Sequence, residues 1–293
     1  MEEHAEGGHR RKDKSKLILA IPFIILAISI IFLFVNYSTT GSFVNKGISL
    51  KGGTSISIIS VGTDAIEVQN SLDYDGELNV RTLSGAGRQI GLIIELDSTE
   101  ELDVNNIKEQ IKNKFNIEED QITIETIGSA LGSSFFKETV RAVIFAFIFM
   151  GIVVFIYFRS IVPSSSIVLA AVSDIIITMA VVNVMGIKLS TAGVAAFLML
   201  IGYAVDTNIL LSTKVLKRKE GSVDERIKSA MKTGFMMTLT TITAIIIAII
   251  FSQSPVITQI MTIVLIGLIV DMMNTWVQNA GILKIYVNRR KHQ

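Results

Sequence analysis

Three aspartates, Asp174, Asp206 and Asp271, lie within runs of apolar residues long enough to cross a bilayer. A charged side chain at the bilayer centre costs at least about 2.5–3.5 kcal/mol, so such acids normally face the interior of a helix bundle. A carboxyl group held there takes up and releases a proton, or packs as a neutral acid against a neighbouring Ser or Thr. Asp206 has the densest polar surroundings. Gly202 and Tyr203 precede it by four and three positions on one helix face, and Asn208 adds an amide nearby. By helical rise it lies roughly 10 Å from Thr213 at the basic end of the span. Asp271 heads a stripe with Asn274 and Gln278 beside Gly267 and Gly281, a pattern that serves ion handling or helix-to-helix contact. Asp174 has Ser173 beside it and Thr178 one turn on. Lys232 enters the fifth run either as a partner for Asp206 or as a lysine snorkelling to the headgroups. The candidate ion-coupling residues are Asp206, Asp174, Lys232, Asp271, Asn208 and Tyr203.

Other chemistries find little support. There is no Cys, and the three His (His4, His9, His292) all lie in the terminal tails, which argues against thiol nucleophiles, His-based triads and zinc sites. The glycine pair Gly52-Gly53 lacks the lysine and spacing of a P-loop. No enzymatic activity, catalytic residue, metal, cofactor or nucleic-acid partner is expected.

The elements that must hold these acids are membrane helices. Half the chain is apolar (50%), only 18% is charged, and the mean hydropathy is +0.55 over 293 residues. Apolar runs at 17–35, 142–158, 161–184, 189–211, 234–251 and 256–283 are each near or above the length that spans roughly 30 Å of hydrocarbon. Pro163 and Pro255 stand at the starts of the third and sixth, where a missing N–H costs nothing. The first run is too long for a signal-peptide core and reads as a retained anchor. Basic residues crowd the tail 1–16, the loop 212–233 and the tail 284–293, whereas the opposite short turns carry only Lys188. By the positive-inside rule both termini are cytoplasmic and 36–138 lies outside.

That external segment is acidic, with sixteen Asp and Glu against eight Lys and Arg. Such a surface keeps a domain soluble, or weakly attracts basic cargo. Period-2 patterns predict strands at 54–60, 77–83, 89–97 and 121–127, the last with Ile122 and Ile124 inward; helical patterns fall at 64–72 and 103–115. The order β-α-β-β-α-β is that of a ferredoxin-like split sandwich. The expected fold is therefore membrane α-helical: six transmembrane helices with an extracytoplasmic α+β (βαββαβ, ferredoxin-like) domain between helices 1 and 2 and a five-helix bundle over 139–283. Gly52-Gly53 and the pair Gly128 and Gly132 flank the two links to the membrane, where glycine permits positive φ and close approach, as a hinge or as an ordinary turn.

One helix, a large external loop and five more helices resemble the half-unit of resistance-nodulation-division transporters, and within that superfamily the SecF branch of the SecD/SecF family. Gly47-Ile-Ser-Leu-Lys-Gly-Gly-Thr54 is similar to the family's G-[IL]-D-[FL]-x-G-G-[TS], and Ile127-Gly-Ser-Ala-Leu-Gly132 resembles its V-G-P-x-x-G. Ile201-Gly-Tyr-Ala-Val-Asp-Thr-Asn208, followed by the basic stretch from Lys214 to Arg218, resembles the fourth-span signature, the most specific of the set. Ser173-Asp174 resembles a third-span H-D pair, and Lys232-Thr233 the R-T opening the fifth. Ser49, Ser129, Ser173 and Lys232 depart from the usual Asp, Pro, His and Arg, which is more like an archaeal branch than a bacterial one.

The resemblance implies an auxiliary subunit of the Sec protein-export machinery in the cell membrane. Its partners would be SecD, the Sec translocon channel, the exported unfolded polypeptide and the lipid bilayer, with the transmembrane proton gradient as the driving force. The alternatives are a small-molecule or lipid exporter of the same superfamily, and an intramembrane aspartyl protease using Asp206 and Asp271.

Overall fold

The computed structural model describes residues 3–291 except 60, 61, 63, 86, 87, 219 and 253. Six helices are long and apolar enough to cross a membrane. They are α1 (Glu3–Thr40), α5 (Ser129–Phe158), α6 (Ile161–Val184), α7 (Thr191–Leu216), α8 (Val223–Phe251) and α9 (Pro255–Met273). The last continues through a π-helical segment, Asn274–Asn279, into α10 (Ala280–Lys291). Several boundaries differ from the apolar runs: α1 continues to Thr40, α5 begins at Ser129, inside the expected external segment 36–138, and α7 runs on to Leu216. The basic tail before the first run is part of α1, and α10 carries the helix past the sixth run to Lys291. The fifth helix starts at Val223 instead of Gly234, because Ser222 and Glu225 form a reciprocal capping box that nucleates it inside the polar loop.

Between α1 and α5 lie the one-turn α2 (Ile48–Lys51), β1 (Gly53–Ile58), α3 (Ala65–Ser71), β2 (Leu78–Gly85), β3 (Arg88–Leu96), α4 (Glu101–Phe115) and β4 (Ile122–Ile127). The sheet runs β2-β3-β1-β4 with every neighbouring pair antiparallel, the split arrangement that βαββαβ connectivity produces. Asp64 caps α3 by accepting from the Ile66 amide at 3.0 Å. Ile56, Ile58, Leu92, Ile94 and Leu96 on one sheet face pack with Ile107 and Ile111 of α4, all essentially inaccessible. Each such side chain stabilises the domain by about 1.5–3 kcal/mol. Ile122 and Ile124 stand opposite Ile58 and Ile56 on the helix-covered face, as expected; Ile122 packs against this core, while Ile124 stays 38% exposed because β4 is an edge strand.

In the membrane, α6 and α7 are the most enclosed helices, and α1, α5 and α8 present most of their surface outward. Lipid offers no hydrophobic drive for helix pairing, so association rests on close approach and polar contact. Gly267 faces Leu200, Gly234 faces the Trp276 ring and Gly281 faces Leu19, each so closely that an added Cβ would overlap the neighbour.

Candidate functional site

Two of the three membrane aspartates meet in the centre of the bundle. Asp174 on α6 and Asp271 on α9 are 0% and 1% exposed, and α6 packs directly against α9. Asn274 donates its amide N–H to Asp174 Oδ1 at 2.7 Å. Thr207 of α7 donates to Asp271 Oδ2 at 2.9 Å, and Thr275 to Asp271 Oδ1 at 2.8 Å. The contacts continue toward the basic end of the bundle. Gln278 approaches Ser173 Oγ at 3.3 Å, Asn279 donates to Asn208 Oδ1 at 2.5 Å, and Ser166 Oγ stands 2.8 Å from both Asn279 Oδ1 and the Pro163 carbonyl. The π segment explains the density of this file: its wider turn keeps Asn274, Thr275, Gln278 and Asn279 all fully buried against α6 and α7.

Asp206 is elsewhere. The inward face of α7 carries Leu200, Ile201, Ala204, Thr207, Asn208 and Leu211, all buried. Ala195, Met199, Gly202 and Asp206 form an uncovered stripe on another face, and an added Cβ at Gly202 would meet nothing within 4 Å. The burial expected for Asp206 is thus absent within this chain, because one residue of helical rotation separates it from Thr207. The expected polar patch is divided accordingly: Asn208 joins the buried file, Tyr203 is half-buried, and Asp206 has no hydrogen bond or ion pair among the described residues. Nor does Lys232 pair with Asp206. Gly234 and Thr238 mark the inward face of α8, and Lys232 is exposed about half a turn away. It is Lys214 that crosses to α8, donating to the Ser229 carbonyl at 3.0 Å and to Thr233 Oγ1 at 2.7 Å. The protease alternative, which needed Asp206 beside Asp271, loses its geometry.

The α+β domain is docked on the bundle through the Gly47–Thr54 motif. The Gly47 amide donates to the Leu189 carbonyl at 2.8 Å and the Leu189 amide to that of Asn45 at 2.6 Å, joining the chain after α1 to the turn between α6 and α7. Asn183 holds the same stretch by accepting from the Asn45 amide and donating to the Phe43 carbonyl. Ser49, standing where the family has Asp, still supplies an acceptor, to the Thr191 amide at 3.1 Å. On the sheet, buried Glu95 binds Arg81 with one carboxylate oxygen, and Lys188 from the α6–α7 turn lies 2.8 Å from the other. Gly52 (φ +92°) and Gly53 (φ +127°) adopt backbone that side chains disfavour, and a Cβ at Gly132 would stand 2.7 Å from the Gly52 nitrogen. Gly128 uses neither the positive φ nor the close approach that glycine permits: it sits at φ −62° as the residue before α5, with open space around it.

The candidate site residues read from the sequence did not include Thr207, although it lies within the fourth-span motif, nor Thr275, Asn279, Ser166 or Glu95. Thr275 follows Asp271 by one helical turn and was legible on that spacing; Glu95 reads in sequence as one more surface acid.

Six membrane helices, arranged one plus five around an inserted split α+β domain and a buried acid-amide core, define a multi-pass membrane protein of the SecDF architecture. The family model "Protein export membrane protein SecD/SecF, C-terminal" matches residues 106–289. A protein-export membrane protein SecF of Pyrococcus furiosus is 42% identical over 281 residues, covering 95% of this chain and 93% of that one. A SecF of Methanocaldococcus jannaschii is also 42% identical over 281 residues, covering 93% and 95%. The fold matches the crystal structure of SecDF, a translocon-associated membrane protein from Thermus thermophilus, with a TM-score of 0.73 at 16% identity. That match covers 95% of this chain but only 38% of the SecDF chain. The chain belongs to the SecD/SecF family of protein-export membrane proteins, and its full-length relatives are SecF proteins.

Proposed function

We propose that this chain is a subunit of the Sec export machinery in the cell membrane that works with SecD, beside the translocon channel, to draw unfolded polypeptide outward at the expense of the transmembrane proton gradient. Both termini are cytoplasmic in this reading, and the α+β domain is outside, because the basic residues gather at the end of the bundle away from that domain. The observation that carries the proposal is the uncovered α7 stripe of Ala195, Met199, Gly202 and Asp206. Small residues ending in an unpaired carboxylate are costly against lipid and well suited to a partner helix. More than half of the SecDF chain that the fold resembles lies outside the match, which covers 38% of it, and that remainder leaves room for such a partner in the complete assembly.

With SecD on that stripe, Asp206 lies at the interface and carries the coupling proton. One charge moved through 100 mV is worth about 2.3 kcal/mol, enough to bias a two-state arrangement some fiftyfold. The docked junction supports a rigid route for this bias: movement of the α6–α7 turn carries the domain through Lys188, Glu95 and the Gly47–Leu189 contact. The native chain contains no Cys, so Met199→Cys places a single thiol on the stripe. In native membranes that thiol is expected to cross-link to SecD, and the pair to purify together. Efficient labelling by a lipid-dissolved maleimide, with no SecD recovered, would contradict the assignment.

A further inference from the structure

We infer that Asp174 and Asp271 together form a binding site for one monovalent cation, a proton or a sodium ion, in the core of this chain and apart from Asp206. Its use in export rests on the coupling proposed above; the binding itself does not.

The argument is one of charge accounting. Both carboxyl groups are buried, are linked through Asn274, which stands one turn from Asp271 and bonds Asp174, and belong to helices with no other ionisable residue: Asp174 is alone in α6, and Asp271 alone in α9 and the π segment. On α7 the ionisable groups are Tyr203, Asp206 and Lys214; Asp206 is exposed, and Lys214 is bonded to Ser229 and Thr233 of α8. Lys284 at the start of α10 pairs with Asp224 at 2.5 Å. On α1 and α5 the charged residues lie outside the apolar stretches 17–35 and 142–158. On α8, Arg226 is bonded to the Val215 and Arg218 carbonyls, and Lys228 and Lys232 are exposed, so the pair has no protein cation to balance it among the described residues. Two neighbouring buried carboxyl groups without a counter-charge do not both ionise, so one positive charge resides with them.

The donors around the pair distribute that charge unequally. Asp271 accepts two hydroxyl hydrogen bonds, from Thr207 and Thr275, and is built to be the anion. Asp174 accepts one amide hydrogen and keeps Oδ2 buried without a donor, so it is the carboxyl left free to hold a proton. A second observation points to a ligand as well. Asn274, fully buried and already turned to Asp174 through its N–H, leaves its own Oδ1 without a donor, and Thr178 Oγ1, one turn from Asp174 on α6, is likewise buried and unpaired. Both are oxygens near one or other carboxyl in sequence, and oxygen donors of this hard kind suit a small alkali cation. Proton and sodium thus satisfy the same charge deficit through different atoms.

The test uses the full chain in lipid nanodiscs. Infrared spectra at neutral pH in sodium-free choline buffer report protonated carboxylic acid, and thermal unfolding with sodium or choline at equal ionic strength reports sodium binding. If the charge is a proton, the wild type has a carboxylic-acid band that Asp174→Asn and Asp271→Asn remove, with no sodium response. If it is sodium, added sodium raises the melting temperature, choline does not, and either substitution abolishes the rise. Should both Asn variants fail to fold, Thr275→Val keeps both carboxyls and removes one donor; it is expected to shift the band, or to weaken the sodium response. A wild type with neither band nor sodium response, or a Thr275→Val chain in which neither changes, would overturn the inference. The two proposals also fail separately. A cation here with export indifferent to the gradient would refute the coupling alone, and gradient-driven export with no cation here would refute the site alone.

Discussion

Asp206 and Thr207 are neighbours in sequence and opposites in setting, since one residue of rotation moves a side chain from an uncovered stripe of α7 to the buried pair. The polarity of that helix was legible from the residues; which polar side chain faced inward depended on α6 and α9, whose approach no single helix records. The same holds for the glycines. Gly52 and Gly128 read alike in sequence, yet one has a positive φ with Ser129 Cα 2.4 Å from an added Cβ, and the other stands in open space. Gly52→Ala is expected to destabilise the chain by about 1–3 kcal/mol, and Gly128→Ala by no more than about 0.5, measured as thermal unfolding in detergent. A second residue-scale prediction concerns Tyr74, whose hydroxyl donates to Asp97 at 2.7 Å. Burial, and then that carboxylate, push the Tyr74 phenol up to about 12 from an ordinary 10.0, while the same hydroxyl holds Asp97 below its ordinary 3.8. The folded state keeps the phenol proton more tightly, so this contribution is complete below pH 10.0 and is lost as pH rises through about 12. For Asp97 it is complete above 3.8 and is lost on acidification. An ultraviolet titration of the wild type minus Tyr74→Phe should contain one tyrosine ionising near 12; a difference centred near 10.0 would refute the pairing.

At the scale of elements, the strands and helices of the inserted domain follow their periodicities closely, because each buries one face against a single neighbouring layer. The π segment was not legible, since its reason lies in partners on other helices: Ser173, Asp174 and Asn208 meet its side chains only after α6, α7 and α9 pack. The junction was half legible. Its glycines marked the place, but the docking comes from Asn183, Lys188 and Leu189, far along the chain from the strands they hold. Lys188→Ala is expected to leave the secondary structure intact and to weaken docking by about 1–3 kcal/mol, the cost of leaving one oxygen of buried Glu95 without its ion-pair partner. Hydrogen exchange should then quicken at the Gly47 and Leu189 amides, while the domain core around Ile94 keeps its protection. Unchanged exchange at those two amides would mean that the backbone contacts suffice without the ion pair.

For the whole molecule, six spans and the inserted domain were readable from hydropathy alone, whereas the empty stripe on α7 emerges only once the other five spans have chosen their neighbours. Orientation can be checked directly: with both termini cytoplasmic, a Cys at Ser98 should react with an impermeant thiol probe in intact cells and one at Ser222 should not. The reverse pattern would invert the proposed direction of transport. The central claim is that export draws on the proton gradient through Asp206, and the most direct measurement is the export rate of a secreted substrate with and without an uncoupler, normalised to complex recovered from the membrane. Asp206→Asn preserves size and hydrogen bonding while removing the titration, so the account predicts an assembled SecD complex that exports more slowly and no longer responds to the uncoupler. An Asp206→Asn chain that exports at the parental rate and keeps its uncoupler sensitivity would contradict it.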